Sequence, residues 1–443
     1  MQGLAQPVGA GFRWLSCALA FCALAPAARV VHRPYIQNLR QDRVTVIWST
    51  RENVPGVVEY SADQSFSQTA TARTRAFPPS ETRLSFTFYQ HTAELTGLSP
   101  GVQYNYRVIT DGENIAAEAD HRFRTAGAGP FSFLVFGDNG QGTPDQLAMT
   151  LRIANERPNL VLLTGDVVYT NGTFEEFLAY YFDYYWTVMR RAAFFPSPGN
   201  HDYYTDNAGP YLALHSLPNE TVPVRDRGRY YSFDWGDVHF VALDTSPLLN
   251  DSLNSGMLDW LENDLASTRA PWRIVYFHHT PYPITHHLND TTCAAVRERI
   301  VPVLERHGVQ LVLSGHEHSY QRTRPMRSGR PVVGPGTVYV TTGGAGAVLH
   351  PVAQRDFLAK AESAFHYLRG EVNGPAITIR AIRFDGREID RFSLSLPSLR
   401  AANPAVNVAS FTPALAPGSV LSLFGSGLAG ETLVAAAAPL PTE

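Results

Sequence analysis

The sequence predicts an α/β layered domain preceded by an all-β sandwich. Up to about residue 126, short runs rich in β-branched and aromatic residues follow one another with no helical period between them. Beyond residue 130, short apolar runs alternate with helix-length stretches, the pattern of a layered α/β domain. Ala126-Gly127-Ala128-Gly129-Pro130 separates the two and has the composition of a linker. At 443 residues the chain is long enough for two or three domains.

Residues 1–28 carry one charge, Arg13, ahead of an apolar run from Trp14 to Ala25, and Ala25-Pro26-Ala27 has the small-x-small form of a signal-peptidase site. The run is short for a bilayer span, so a cleaved export signal is expected, with a secreted (extracellular or periplasmic) chain and no membrane association after cleavage. Cys17 and Cys22 lie within the signal, and Cys293 alone cannot form an internal disulfide. In residues 29–126, Val44–Trp48, Val57–Tyr60, the stretch Leu84–Leu95 and Tyr104–Val108 read as strands. The turn Leu95–Gly101 feeding Tyr104 and Tyr106 has the form of a tyrosine corner, with Trp48 and Tyr106 in the core. This segment resembles a fibronectin type III module, closed by Phe123-Arg124-Thr125.

Residues 130–396 form the larger domain. Strands are expected at Phe131–Phe136, Leu160–Thr164, Phe194–Pro198, Val238–Leu243, Arg273–Phe277, Val309–Ser314 and Thr337–Thr342. Helices are expected at Pro144–Glu156, Thr173–Met189, Asn254–Thr268 and Cys293–His307, with Pro302 kinking or restarting the last. Strands near Ala376–Ile382 and Glu388–Leu394 close the domain. Residues 397–443 are rich in Ala, Pro and Gly; Asn407–Phe411 and Ser419–Gly425 read as two strands of a truncated module resembling the start of an Ig-like repeat. A net charge of −4 gives no basis for a nucleic-acid groove or binding to an anionic membrane.

Five motifs sit just past strand ends, the edge of an α/β sheet where ligands bind. They are Gly137-Asp138-Asn139-Gly140, Gly165-Asp166-Val167-Val168-Tyr169, Gly199-Asn200-His201-Asp202, His278-His279-Thr280-Pro281-Tyr282 and Gly315-His316-Glu317-His318. Taken singly, a Gly-Asp after a strand is turn chemistry. Five Asp, Asn and His motifs at successive strand ends are a shared metal site, and His-x-His puts both imidazoles on one side of an extended segment.

The order of these motifs resembles the calcineurin-like metallophosphoesterases, and specifically the purple acid phosphatases, over about residues 130–395, with the leading sandwich matching the plant-type architecture. Gly140, where many metallophosphoesterases have His, and Tyr169 select that branch. The resemblance implies a metal held by Asp138, Asp166, Tyr169 and His318, and a second held by Asp166, Asn200, His279 and His316. The residues alone leave His278 and His279 as alternatives; the family's His-x-Pro pattern points to His279. Two carboxylates and a phenolate suit ferric iron; an amide, two imidazoles and a shared carboxylate suit divalent zinc, iron or manganese. The implied activity is hydrolysis of small phosphate monoesters by metal-bound hydroxide, with catalytic roles for His201 and for His286 or His287. Phosphodiesterase or nucleotide phosphatase activity on the same core is the near alternative, and a non-catalytic secreted binding or adhesion protein is the alternative of another class.

Overall fold

The computed structural model describes residues 28–117, 120–247, 251–396, 400–407 and 421–426. The expected signal, save its last residue, and positions 408–411 and 419–420 of the two tail strands lie outside them.

The N-terminal module is a sandwich of two antiparallel sheets. One runs in the order Val30–Gln37, Arg43–Thr50, Phe88–Thr96, Arg73–Phe77. The other contains Gln68–Thr71, Gly56–Ser61, Gln103–Thr110 and Glu113–Asn114, with Arg122–Arg124 also paired to Gln103–Thr110. The expected strand from Leu84 begins only at Phe88, because Arg83 takes a left-handed conformation (φ 63°) to end the short helix Pro79–Thr82. Tyr104 makes the expected corner: its hydroxyl oxygen accepts from the Ser99 N–H at 3.0 Å. Trp48 is fully buried and stacks on His91, with ring centroids 5.1 Å apart. Tyr106 is buried too, and it also reaches across to the next domain, donating to the Arg190 carbonyl at 2.7 Å.

The second domain is a sandwich of two mixed sheets. Its strands are β1 (Phe131–Phe136), β2 (Leu160–Leu163), β3 (Ala193–Pro196), β4 (Tyr231–Trp235), β5 (Val238–Ala242), β6 (Trp272–His279), β7 (Leu311–Gly315), β8 (Tyr320–Thr323), β9 (Val338–Thr342), β10 (Leu358–Glu362), β11 (His366–Asn373), β12 (Ala376–Arg383) and β13 (Glu388–Ser395). One sheet has the order β3-β2-β1-β11-β12-β13 and the other β4-β5-β6-β7-β9-β8-β10. Within them β1, β2 and β3 are parallel, as are β5, β6, β7 and β9. These strands are buried on both faces and read as near-continuous apolar runs, as parallel strands under helices must. Phe195 stacks on Phe233 at 4.0 Å and Phe133 meets Phe240 edge-on at 5.6 Å, so aromatic pairs knit the two sheets.

Helices cover the outer faces. Thr143 caps Pro144–Ala154, its hydroxyl accepting from the Gln146 N–H, with Pro144 at the first turn where its missing N–H costs nothing. The helix after β6 starts at Thr291, widens to a π-type turn over Val296–Ile300 and resumes at Val301–Arg306, with Pro302 in the first turn of the resumed piece. That is the restart expected where proline removes a ladder donor. In the tail, Arg400–Asn407 pairs antiparallel with Leu421–Ser426.

The two domains are joined by specific contacts. Tyr35 donates to the Leu214 carbonyl (2.9 Å), Arg40 pairs with Glu220 (2.8 Å), Arg191 pairs with Asp120 (2.9 Å), and His32 stacks on Phe182 at 4.8 Å. Among the described residues, no helix is long and apolar enough to cross a membrane.

Candidate metal centre

All five motifs emerge at the same end of the two parallel strand sets. Asp138 follows β1, Asp166 follows β2, Asn200 follows β3, His279 ends β6, and His316 and His318 follow β7. Asp138, Asp166 and His316 all take left-handed backbone conformations, with φ of 57°, 47° and 70°. For non-glycine residues that conformation is uncommon and clusters at functional sites. The loops also press on one another: a Cβ on Gly199 would overlap the Asp166 amide and carboxylate, so only glycine lets the third loop lie against the second. Asp202 ties the same two loops together, accepting from the Val167 N–H (3.1 Å) and the Gly199 N–H (2.8 Å).

Two convergences result. In the first, the Tyr169 hydroxyl donates to Asp138 Oδ1 at 2.9 Å, and His318 Nε2 lies 3.2 Å from the Tyr169 oxygen and 3.3 Å from Asp138 Oδ1. In the second, His278 Nε2 lies 2.9 Å from Asn200 Oδ1, 3.1 Å from His316 Nδ1 and 3.4 Å from Asp166 Oδ2. Asp138, Asp166 and His278 present ligand atoms within 4.8 Å of one another, so Asp166 lies between the two groups.

Hydrogen bonds on the far side of each imidazole fix which nitrogen carries the proton. His278 Nδ1 faces the Thr164 carbonyl (2.9 Å), His318 Nδ1 the Val348 carbonyl (2.7 Å) and His316 Nε2 the Asp290 carboxylate (3.2 Å). Each partner is an acceptor, so each of those nitrogens donates, and the opposite nitrogen turns a lone pair inward. Lone pairs of three imidazoles, an amide oxygen and two carboxylates then face one another, a set that only positive charge satisfies. In the chain alone a proton takes that place. Burial depresses His278, but the charge of Asp166 outweighs it and holds the imidazole up at about 9. Burial and the neighbouring carboxylates hold the Tyr169 phenol well above its ordinary value, so it becomes an anionic ligand only beside a cation.

The structure brings a second imidazole to the site beside the expected His279: the nitrogen that meets Asp166, Asn200 and His316 belongs to His278. His279 Nδ1 bonds to the Thr245 hydroxyl (2.8 Å), and its ring packs 4.5 Å from that of His316. The register of β6 against β7 shifts between Phe277 and His279, so strict alternation fails there, and His278, His279 and His316 present ring nitrogens within 4.8 Å of one another; β6 turns His278 toward Thr164, beyond the end of β2.

His201 binds the Thr170 carbonyl through Nδ1 (2.7 Å), and Tyr204, 59% exposed, lies edge-on to its ring at 4.9 Å. His287 stacks on His316 at 3.7 Å, and burial and the adjacent imidazoles push it down to about 3. His286 is exposed and stacks on His350 at 4.1 Å; His350 stacks in turn on His318, also at 4.1 Å. His350, Asp290 and the Asp244-Thr245 strand end carried no sequence signal beyond residue type. Thr245 does follow β5 as the other motifs follow their strands, and that placement was available.

Residues 131–320 match the calcineurin-like phosphoesterase family and residues 32–125 match the purple acid phosphatase N-terminal domain. The second domain is thus a calcineurin-like phosphoesterase domain. An uncharacterized protein of Mycobacterium tuberculosis is 26% identical over 341 residues, covering 68% of this chain and 63% of that protein. Acid phosphatase type 7 of Mus musculus is 27% identical over 393 residues, covering 78% and 86%. The N-terminal match and the neighbouring fold are both those of purple acid phosphatases. The fold is that of the purple acid phosphatase from yellow lupin (Lupinus luteus) seeds, with a TM-score of 0.71 at 19% identity over 82% of this chain and 74% of that one. The chain spans less than two thirds of the length of the mycobacterial relative.

Proposed function

We propose that this chain is a secreted acid phosphatase that hydrolyses phosphate monoesters on a binuclear metal centre. The observation that carries the reading is the convergence of inward-facing lone pairs from Asp138, Asp166, Asn200, His278, His316 and His318, with the Tyr169 phenol among them. Asp138, Tyr169 and His318 would hold a ferric ion; Asn200, His279 and His316, with His278 beside them, would hold a divalent zinc, iron or manganese; Asp166 would be shared. When bound, the two cations supply Lewis acidity toward the phosphoryl oxygens and activate water at acid to neutral pH.

The protein's own groups do the rest. The Thr170 carbonyl fixes the His201 ring, whose Nε2 is left to donate to a phosphoryl oxygen when protonated. His287, held neutral over His316, binds phosphate as a neutral donor. His286, exposed and braced by His350, protonates the leaving oxygen. The small-x-small site at Ala25-Pro26-Ala27 supports export.

A panel of nitrophenyl phosphate, its diester, an alkyl phosphate and nucleotides, assayed from pH 4 to 9 with iron and zinc loaded, tests the reading. Monoesters should be hydrolysed fastest and at acid pH. Faster turnover of the diester or of nucleotides would reassign the substrate class, and no turnover of any ester would favour a binding protein.

A further inference from the structure

We propose that Glu317, the middle residue of the His-x-His motif, is the positioning residue that fixes the histidine loop over the metal centre. The Glu317 carboxylate is fully buried. Its Oε1 accepts from the His287 N–H at 2.9 Å and the Thr285 N–H at 3.4 Å, and its Oε2 accepts from the Thr285 hydroxyl at 3.0 Å and the Gln321 side-chain amide at 3.4 Å. Among the described residues, the only cationic or titratable nitrogen within ion-pair reach is His287 Nδ1, at 3.8 Å. That nitrogen is itself buried without a hydrogen-bond partner. The carboxylate is thus occupied by the loop, not by a charge partner.

The geometry follows from the left-handed bend at His316, just past the end of β7. His316 and His318 turn lone pairs to the metal centre, and the residue between them turns away from it. There it meets Thr285–His287, the segment that carries His286 and His287. One tripeptide therefore grips both the cations and the loop that faces them. The loop has a further anchor in Arg355, which donates to the Ile284 carbonyl (2.9 Å), and the single Thr285 hydroxyl proton is shared between Glu317 Oε2 and the Pro351 carbonyl (2.6 Å). Neither holds the His287 amide, which depends on Glu317. Removing the carboxylate would leave that buried donor unpaired, a defect the loop relieves by moving.

This inference rests on the reading of His287 as a phosphate-binding group, and the test separates the two. Metal-loaded Glu317→Ala, Glu317→Gln and His287→Ala chains are compared for metal content, inhibition by inorganic phosphate, and amide hydrogen exchange at residues 285–288. Glu317→Ala should keep its metals, exchange the Thr285 and His287 amides faster, and raise the phosphate inhibition constant about tenfold, in line with the loss of one ordered contact. Glu317→Gln should restore both readouts. Its carboxamide oxygen can accept the two loop N–H groups, and its NH2 can face the Thr285 hydroxyl while the Gln321 amide flips. Unchanged exchange in Glu317→Ala would overturn the anchor. A Gln variant as defective as Ala would overturn a positional role in favour of charge, and loss of metal from both would assign Glu317 to the metal centre. Faster exchange with phosphate inhibition unchanged in both Glu317→Ala and His287→Ala would overturn the phosphate-binding reading and leave the anchor standing.

Discussion

At the scale of single residues, the decisive feature is which nitrogen of each imidazole carries a proton. The carbonyls of Thr164 and Val348 and the carboxylate of Asp290 settle that for His278, His318 and His316. A cation entering the second group must displace the proton that the chain alone keeps on His278 up to about pH 9. Zinc binding should therefore release a proton and weaken as pH falls below 9, by up to about tenfold per pH unit from this group. Titration calorimetry in buffers of different ionisation enthalpy measures it; uptake with no proton release would refute it. His278→Ala and His279→Ala should each weaken second-site binding, by about 10–100-fold or more. Substitution of His286 should slow turnover of an alkyl phosphate more than that of nitrophenyl phosphate, because only the poorer leaving group needs the proton. Substitution of His287 should instead raise KM for both. Equal effects of His286→Ala on the two esters would remove its role as acid.

At the scale of elements, the site is built from loop contacts that require particular backbones. Gly199→Ala would drive a methyl group into the Asp166 amide and carboxylate. Because the neighbouring atoms are backbone and a ligand, the loop must shift, with an expected loss of metal from both positions and a destabilisation of about 1–3 kcal/mol. Elemental analysis and thermal melts check both. Much of this scale was legible in the sequence. The strands from Phe131 to Thr342 lie within a few residues of their expected positions because their apolar runs are bounded by Gly-led motifs, and Pro302 restarts its helix where the missing N–H dictates. The choice between His278 and His279 was not legible. A register shift at the end of β6 brings both rings to the site, and no local pattern encodes that shift. His350 and Asp290 reach the site through loops of no fixed period.

At the scale of the whole molecule, buried histidines set the pH range of stability. Burial pushes His32 down to about 3, and His215 and His366 to about 4. Each is neutral when folded and binds a proton when unfolded below its ordinary value of about 6.5. Stability should therefore fall as pH drops from 6.5 toward 4, by up to about 1.4 kcal/mol per pH unit for each. His239 has the opposite sign. Although burial depresses it, Asp234 and Asp264 outweigh that and hold it up at about 9, so its contribution is full below 6.5 and lost between 6.5 and 9. The metal-free chain should melt highest near pH 6.5, and bound cations should widen that range. A melting temperature that rose steadily from pH 7 to pH 4 would contradict the assignment. The domain contact adds its own share: Tyr106→Phe, which loses the bond to Arg190, should cost about 1 kcal/mol without altering metal content.

The central claim is that side chains of five separate loops close on a pair of cations bridged by Asp166. Metal stoichiometry of the purified chain after loading with iron and zinc, beside that of Asp166→Ala, tests it most directly. About two ions per chain are expected for the native protein, with a visible tyrosinate band that Tyr169→Phe removes, and essentially none for Asp166→Ala. Stoichiometric metal retained by Asp166→Ala, or none bound by the native chain, would contradict it.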